Sequence, residues 1–376
     1  MKEHDLKKYS GLLKIYGEID LNDFFGPTGD SNKKSGNADA DTIRLYLNPN
    51  SFEFQKNPNE SFQSNLSLFD NAFFYDELEG KRKKILSYNT DLNRKYIRLR
   101  LQGIDAPELH YSANLGELFL YDDQSKKFTA LREIFSFRQV YGAKTTYDLR
   151  QYLQSFTNQN QQFIKAYAFS FIDSPNDLFD RYGRAIVDVV IYRENNNTRE
   201  EVNLNQWLVE QGLAFPDFYD SMSNEEIIIL KQKSKDAIEN KRGIWSRYEN
   251  EIVKLDYEQL YEDLNETQIN NELGNLNYPK IFRKQVDYTI LKRSGVKKPF
   301  VKTLKAYIKY RNSECYLVNE FLDKRHYAKK YLLADFIDEN GSFTNPENKK
   351  NVLPGDLVNI ESESIIETPN IINTWY

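Results

Sequence analysis

The stretch "RLRLQGIDAPELH", Arg98 to His110, decides how this chain is read. Together with the preceding Ile97 it alternates: Ile97, Leu99 and Leu101 fall on one face, Arg98, Arg100 and Gln102 on the other. That is the period of a half-buried strand. Gly103 permits a turn, and Asp105, Pro107 and Glu108 follow within a few residues. Charged groups packed this closely behind an apolar strand point to chemistry, with a solvated turn as the plain alternative.

Working outward, "GLLKIYGEID" (Gly11 to Asp20) and "DTIRLYL" (Asp41 to Leu47) read as further strands. In the second, Ile43, Leu45 and Leu47 point one way and Thr42, Arg44 and Tyr46 the other. The Gly/Asn/Ser-rich run at 24–39 between them reads as an exposed loop, and 48–93 and 111–141 as irregular insertions. "TTYDLRQYLQSF" has helical spacing at Leu149, Tyr152, Leu153 and Phe156, with Thr145 or Thr146 as cap. "FIKAYAFSFI" and "AIVDVVIY" are strand-like and flank the charged turn "DLFDRYGR". Two helices follow. The first carries Leu204, Trp207 and Leu208 as core and stops at Gly212; the second has capping-box spacing at Ser223 and Glu226 and ends at Gly243. The expected first domain is a small barrel of strands followed by helices.

The charge pattern then changes. Residues 250–274 are acidic and read as a solvated helical linker, whereas Lys280 to Arg311 is strongly basic, opposed only by Asp287. This basic run opens a C-terminal α+β domain over 275–376, with strand-like "LKAYIKY", "CYLVNEF" and "DLVNIES" and a more helical "KRHYAKKYLLADF". Tyr288, Phe300, Tyr307 and Tyr310 lie among its cations. Lysines such as Lys297 and Lys298 among aromatic rings suit the phosphate backbone of single strands, beside the plainer reading of a solvated face. A protein partner for this domain is the other expectation.

Composition narrows the chemistry. The 376 residues include one cysteine, Cys315, read as an ordinary core thiol, so an internal disulfide or cysteine-built metal site is excluded. Three scattered histidines give little support to a zinc site, and His110 reads as an exposed loop residue. A net charge of −5 means that nucleic acid would be drawn by a local basic patch, not by the whole molecule. "MKEHDLKKYSGLLK" lacks the apolar core of a signal peptide, and no charge-free apolar run approaches the roughly 20 residues of a membrane span. The expectation is a soluble cytoplasmic chain without membrane contact.

Carboxylates and arginines remain. Asp41 and Asp105 are hard oxygen donors of the kind calcium takes, Glu108 can orient or deprotonate a water, and Arg100 and Arg184 offer planar forks to a phosphate. Arg98 shares the face of Arg100 and reads as a surface salt-bridge residue.

Four stretches, in order, resemble the staphylococcal nuclease (thermonuclease) family: "DADTIRLYL", "IRLRLQGIDAPE", "DRYGRAIVDV", and the pair "NLNQWLVEQGLA" with "KSKDAIENKRGIWS". The resemblance covers roughly residues 8 to 247. It implies a five-stranded OB-type barrel with three helices, filling the first domain (1–249, with insertions at about 21–37, 48–93 and 111–141). It also implies calcium held by Asp41, Asp105 and the Ala106 carbonyl. Glu108 would be general base, Arg100 would grip the scissile phosphate, Arg184 would stabilise the transition state, and Tyr182 would lie near the nucleotide phosphate. The implied reaction breaks the bond from phosphorus to the 5′ oxygen of DNA or RNA and leaves a 3′-phosphate. Ala40 departs from the family's glycine, and Phe218 and Tyr219 stand where base-stacking tyrosines are expected. A non-catalytic module binding nucleic acid or protein is the alternative, because relatives keep the fold after losing site residues.

Overall fold

The computed structural model describes residues 11–360 apart from 25–37, 58, 65–68, 70–71, 77–80, 112–136, 158–160, 173–174, 181, 196–197, 251–265, 273, 275, 294, 296 and 339–340. Most of the loop read at 24–39, of the stretch after His110 and of the acidic linker therefore lies outside the described residues. The chain divides into two compact units.

The first unit takes in the chain up to Gln102 and Tyr147–Leu208. Five of its strands close a barrel: β1 (Gly11–Asp20), β2 (Thr42–Gln55), β3 (Arg94–Leu101), β4 (Phe163–Ile172) and β5 (Ala185–Asn195). β1 runs antiparallel to β2 and β4, β2 to β3, and β4 to β5. A parallel pairing of β3 with β5 completes the ring, giving the mixed OB-type barrel expected. Alternation places Leu13, Ile15, Ile97 and Leu99 wholly inside. β6 (Thr198–Asn203), which the sequence pattern missed, extends β5 as an antiparallel neighbour.

Residues 48–93 are less of an insertion than their composition implies. β2 continues through Gln55 against β1, burying Phe52 and Phe54, and Ser87–Asn89 pairs with β3. The polar break at Asn48–Pro49 hides this continuation from a periodicity reading. Tyr46, expected on the outer face, is fully buried and packs against Tyr96 and Phe163, with ring centroids 5.5 and 6.2 Å away. Trp207, expected in the core, is half-buried and stacks on Tyr152 at 3.9 Å.

Three helices follow the expected order: α1 (Gly142–Phe156), α2 (Leu204–Glu210) and α3 (Asn224–Glu239). α1 begins ahead of Thr145 and Thr146, so neither caps it; the Thr146 hydroxyl bonds back to the Gly142 carbonyl at 3.2 Å instead. The capping box at α3 forms as read: Ser223 Oγ accepts from Glu226 N at 3.2 Å, and Glu226 accepts from Ser223 N at 2.7 Å. α3 stops at Asn240, earlier than Gly243. Among the described residues no helix is long and apolar enough to cross a membrane.

The second unit is built from Gly103–Thr146 and Val209–Glu361. It holds α4 (Pro279–Arg293), α5 (Leu304–Tyr310), β7 (Glu314–Leu317), α6 (Val318–Lys324), β8 (Lys330–Leu332) and β9 (Leu357–Asn359). A short strand at Phe218–Tyr219 pairs parallel with β9, β9 antiparallel with β7, and β7 antiparallel with β8. One core joins Phe215, Ile244 and Trp245 to Leu276, Cys315 and Phe336, which are far apart in the chain.

Three expectations for this region are corrected. "LKAYIKY" is the helix α5, not a strand: Thr303 caps it by accepting from Ala306 N at 3.1 Å. Leu304, Tyr307 and Ile308 have i, i+3, i+4 spacing, which the interleaved lysines disguise as alternation. "KRHYAKKYLLADF" is not a continuous helix but a 3-10 turn, β8 and a second 3-10 turn. Arg325 breaks it at φ +51°, turning its guanidinium onto the Met222 carbonyl at 3.0 Å and Asn224 Oδ1 at 2.7 Å. Similarly, "CYLVNEF" is a strand only as far as Leu317.

Candidate active site

In the first unit, β3 lies between β2 and β5, with Arg100 opposite Thr42 on one side and Ile186 on the other. Strand register therefore sets Arg100 beside the start of β2, where it forms an ion pair with Asp41. Thr42 Oγ1 donates to Asp41 Oδ1 at 3.1 Å, and the Asp41 carbonyl accepts from Leu101 N at 2.9 Å. Arg184, just before β5, reaches the same corner: its Nη1 donates to Thr42 Oγ1 at 3.2 Å. Ala40 is not among the positive-φ residues, so its replacement of glycine strains nothing in the turn that carries Asp41.

Arg184 is aimed by Asp180. One Asp180 oxygen accepts from the amides of Tyr182 and Arg184, both at 2.9 Å, which folds the turn. The other takes Arg184 Nε at 2.8 Å and Nη2 at 2.7 Å. The guanidinium carbon lies 5.4 Å from the Tyr182 ring centroid, within cation–π range. Arg98, expected in a surface salt bridge, donates to the Tyr182 carbonyl at 2.6 Å and so braces the same turn. Arg100 and Arg184 keep 16% and 23% of their side-chain surface open, enough for a ligand oxygen to reach them.

In the second unit, Gly103 makes the predicted turn at φ +75°, where an added Cβ would meet Met222 at 2.6 Å and Leu230 at 2.7 Å. Asp105 then pairs with Phe215, and Asp217 N donates to the Gly103 carbonyl at 2.9 Å. Asp105 is fully buried, as is its neighbour Ala106. The Glu108 backbone is clamped by Gln139: Glu108 N donates to Gln139 Oε1 at 3.1 Å, and Gln139 N to the Glu108 carbonyl at 2.9 Å. Gln139 Nε2 continues to the Asn277 carbonyl at 3.1 Å, and Asn277 to Gln285 on α4 at 3.4 Å. Gly142 allows the close approach, since a Cβ there would fall 2.3 Å from the Glu108 carbonyl oxygen.

α4 also supplies a side chain that the sequence reading left in the general basic run. Arg283 Nη1 donates to Asp105 Oδ1 at 3.0 Å and Nη2 to Asp105 Oδ2 at 2.8 Å, while Nη1 also bonds Glu108. Burial works against the guanidinium charge, but Asp105 and Glu108 outweigh it and hold Arg283 well above even its ordinary pKa. A planar fork on a carboxylate is the strongest geometry available to such a pair.

The donor chemistry of Asp41, Asp105 and the Ala106 carbonyl suits a hard cation. Both Asp105 oxygens and one Glu108 oxygen are bonded to Arg283, and Asp41 is paired with Arg100. Among the described residues, no group of three or more His, Cys, Asp or Glu side chains is placed to hold a metal ion. In this arrangement the Arg283 guanidinium takes the place of a cation at Asp105 and Glu108.

The remaining expected site residues scatter. Phe218 is fully buried in the short strand beside β9, so it is no open stacking platform; the apolar packing of that sheet claims it. Tyr219 is half-buried and donates to Asp217 at 3.0 Å. Lys297 and Lys298 are exposed. The basic run is not one solvated face: Lys280 bonds the fully buried Asp217 at 3.3 Å, and the Tyr307 hydroxyl bonds Asp287 at 3.4 Å. His110 is half-buried, and burial lowers its pKa. Glu272 is not solvated; it pairs with Arg138 at 2.7 Å and accepts from Tyr141 N at 3.0 Å. Of the residues missed, Asp180 had a signal in its aspartate-to-glycine turn composition, while Arg283 and Gln139 had none beyond being polar.

A search of curated proteins gave no match to the chain. The family model described as staphylococcal nuclease homologue matches residues 98–247. That span carries Arg100, the Asp105–Glu108 turn and Arg184, and leaves Asp41 and Arg283 outside. Over residues 98–247 the chain is thus similar to the staphylococcal nuclease homologues, a family of nuclease type.

Proposed function

We propose that the protein hydrolyses phosphodiester bonds of DNA or RNA. The observation that carries this reading is the meeting of Arg100 and Arg184 at the Asp41–Thr42 corner of the barrel. Two guanidinium groups at one strand end offer several N–H donors to the oxygens of one phosphate, where negative charge grows in the transition state. Arg100 grips the non-bridging oxygens. Arg184 stabilises the crowded phosphorus and donates to the departing 5′ oxygen.

Glu108 takes a proton from the attacking water, whose oxygen bonds to phosphorus as the bond to the 5′ oxygen breaks, leaving a 3′-phosphate. Tyr182, stacked by Arg184, borders the nucleotide phosphate, and the exposed Lys297 and Lys298 add sequence-independent backbone contacts. Single strands are the preferred substrate and the cytoplasm the place of action.

A specific observation favours a second reading, a binding module without catalysis: Arg283 occupies the two carboxylates on which water activation depends. Incubation of purified protein with single-stranded DNA and calcium separates the two. Hydrolysis that stops on chelation and falls at least about 100-fold in Glu108→Gln supports the nuclease. DNA binding that is weakened in Arg100→Ala, with no hydrolysis by the wild type, supports the binding module.

A further inference from the structure

Arg283 lies outside the matched segment, on a helix that the second unit holds firmly. Phe282, Val286, Ile290 and Leu291 of α4 pack with Phe137 and Tyr307. The Gln285–Asn277–Gln139 chain of hydrogen bonds ties the same helix to the Glu108 backbone. The guanidinium is therefore delivered to Asp105 and Glu108 by packing, not by a loose surface contact. The Arg283 side chain keeps 24% of its surface open to solvent.

The charge balance defines what this contact does. Asp105 and Glu108 carry two negative charges and Arg283 one positive, and the planar fork occupies both Asp105 oxygens. A divalent cation needs those lone pairs and would neutralise the pair in full. Two cations at the Asp105 carboxylate repel one another, so each weakens the other's hold. We propose that Arg283 is a built-in competitor for a divalent cation, holding the Asp105–Glu108 pair closed until its guanidinium withdraws. This deepens the nuclease reading and rests on it for its consequence, that cleavage is gated by Arg283, but the competition itself is measured without nucleic acid.

The test is calcium titration of the full chain by isothermal calorimetry, with no nucleic acid present. Arg283→Gln, which removes the charge and keeps a polar side chain, is expected to bind calcium at least tenfold more tightly than the wild type. Adding Asp105→Asn to that variant is expected to abolish the gain. Arg283→Lys keeps a cation without the fork, and serves if the Gln variant fails to fold; its calcium affinity is also expected to rise. Equal affinity in the wild type and the substituted chain, or a gain that survives Asp105→Asn, overturns the proposal. Tighter calcium binding without any DNA cleavage in the variant overturns the nuclease reading alone, and cleavage with an unchanged calcium response overturns the competition alone.

Discussion

Arg283 and Asp105 form a two-pronged ion pair, Nη1 to Oδ1 at 3.0 Å and Nη2 to Oδ2 at 2.8 Å, with the aspartate side chain wholly shielded from solvent. Removing one partner of such a pair strands the other charge in a poor solvent, which costs about 3–5 kcal/mol. Arg283→Ala is therefore expected to lower unfolding stability by about that amount in urea titration, whereas changing the exposed Lys297 to Ala leaves it unchanged.

Gly103 ends the strand that brings Arg100 into place and starts the turn that carries Asp105. Its φ of +75° disfavours any side chain, and the ends of the Met222 and Leu230 side chains would have to shift to admit one. Gly103→Ala is expected to destabilise the fold by about 1–3 kcal/mol, read as a lower urea midpoint at unchanged slope.

Lys284 on α4 gives a pH dependence whose sign is determined. Burial, then the nearby Lys280 and Arg311, push its pKa down from 10.5 to about 7; Asp287 opposes this and Arg283 adds to it. Between about 7 and 10.5 the unfolded chain binds the extra proton, so this residue makes stability climb as pH rises through that window. Lys284→Met is expected to raise the melting temperature at pH 6, where the folded chain must otherwise hold the charge, and the gain should vanish near pH 10.5.

Cys315 is fully buried, and burial pushes its thiol up to about 12. The thiolate is the reactive form. A thiol reagent at pH 8 is expected to leave native protein unmodified and to label one group per chain after denaturation.

Strands and site were unequally legible in the sequence. β3 and its turn could be read because strict alternation through Leu99 and Leu101 and a glycine at the bend are local signals. Asp41, Arg100 and Arg184 could be named from motif order, although their meeting depends on β2, β3 and β5 lying side by side. Arg283 could not be singled out: its partner Asp105 is 178 residues away, and no local period records a contact of that kind. Phe218 was misread for a related reason, since burial against β9 is decided by a strand from the far end of the chain. In α5, lysines set between apolar residues imitated a strand, and the Thr303 cap was the overlooked cue.

The most direct measurement is single-turnover cleavage of a 5′-labelled single-stranded DNA at saturating calcium, comparing the wild type with Arg184→Ala. The account predicts wild-type products ending in 3′-phosphate and a rate at least about 100-fold lower in the variant, whose fold is otherwise intact. Equal rates in the two proteins, or products ending in 3′-hydroxyl, would contradict it.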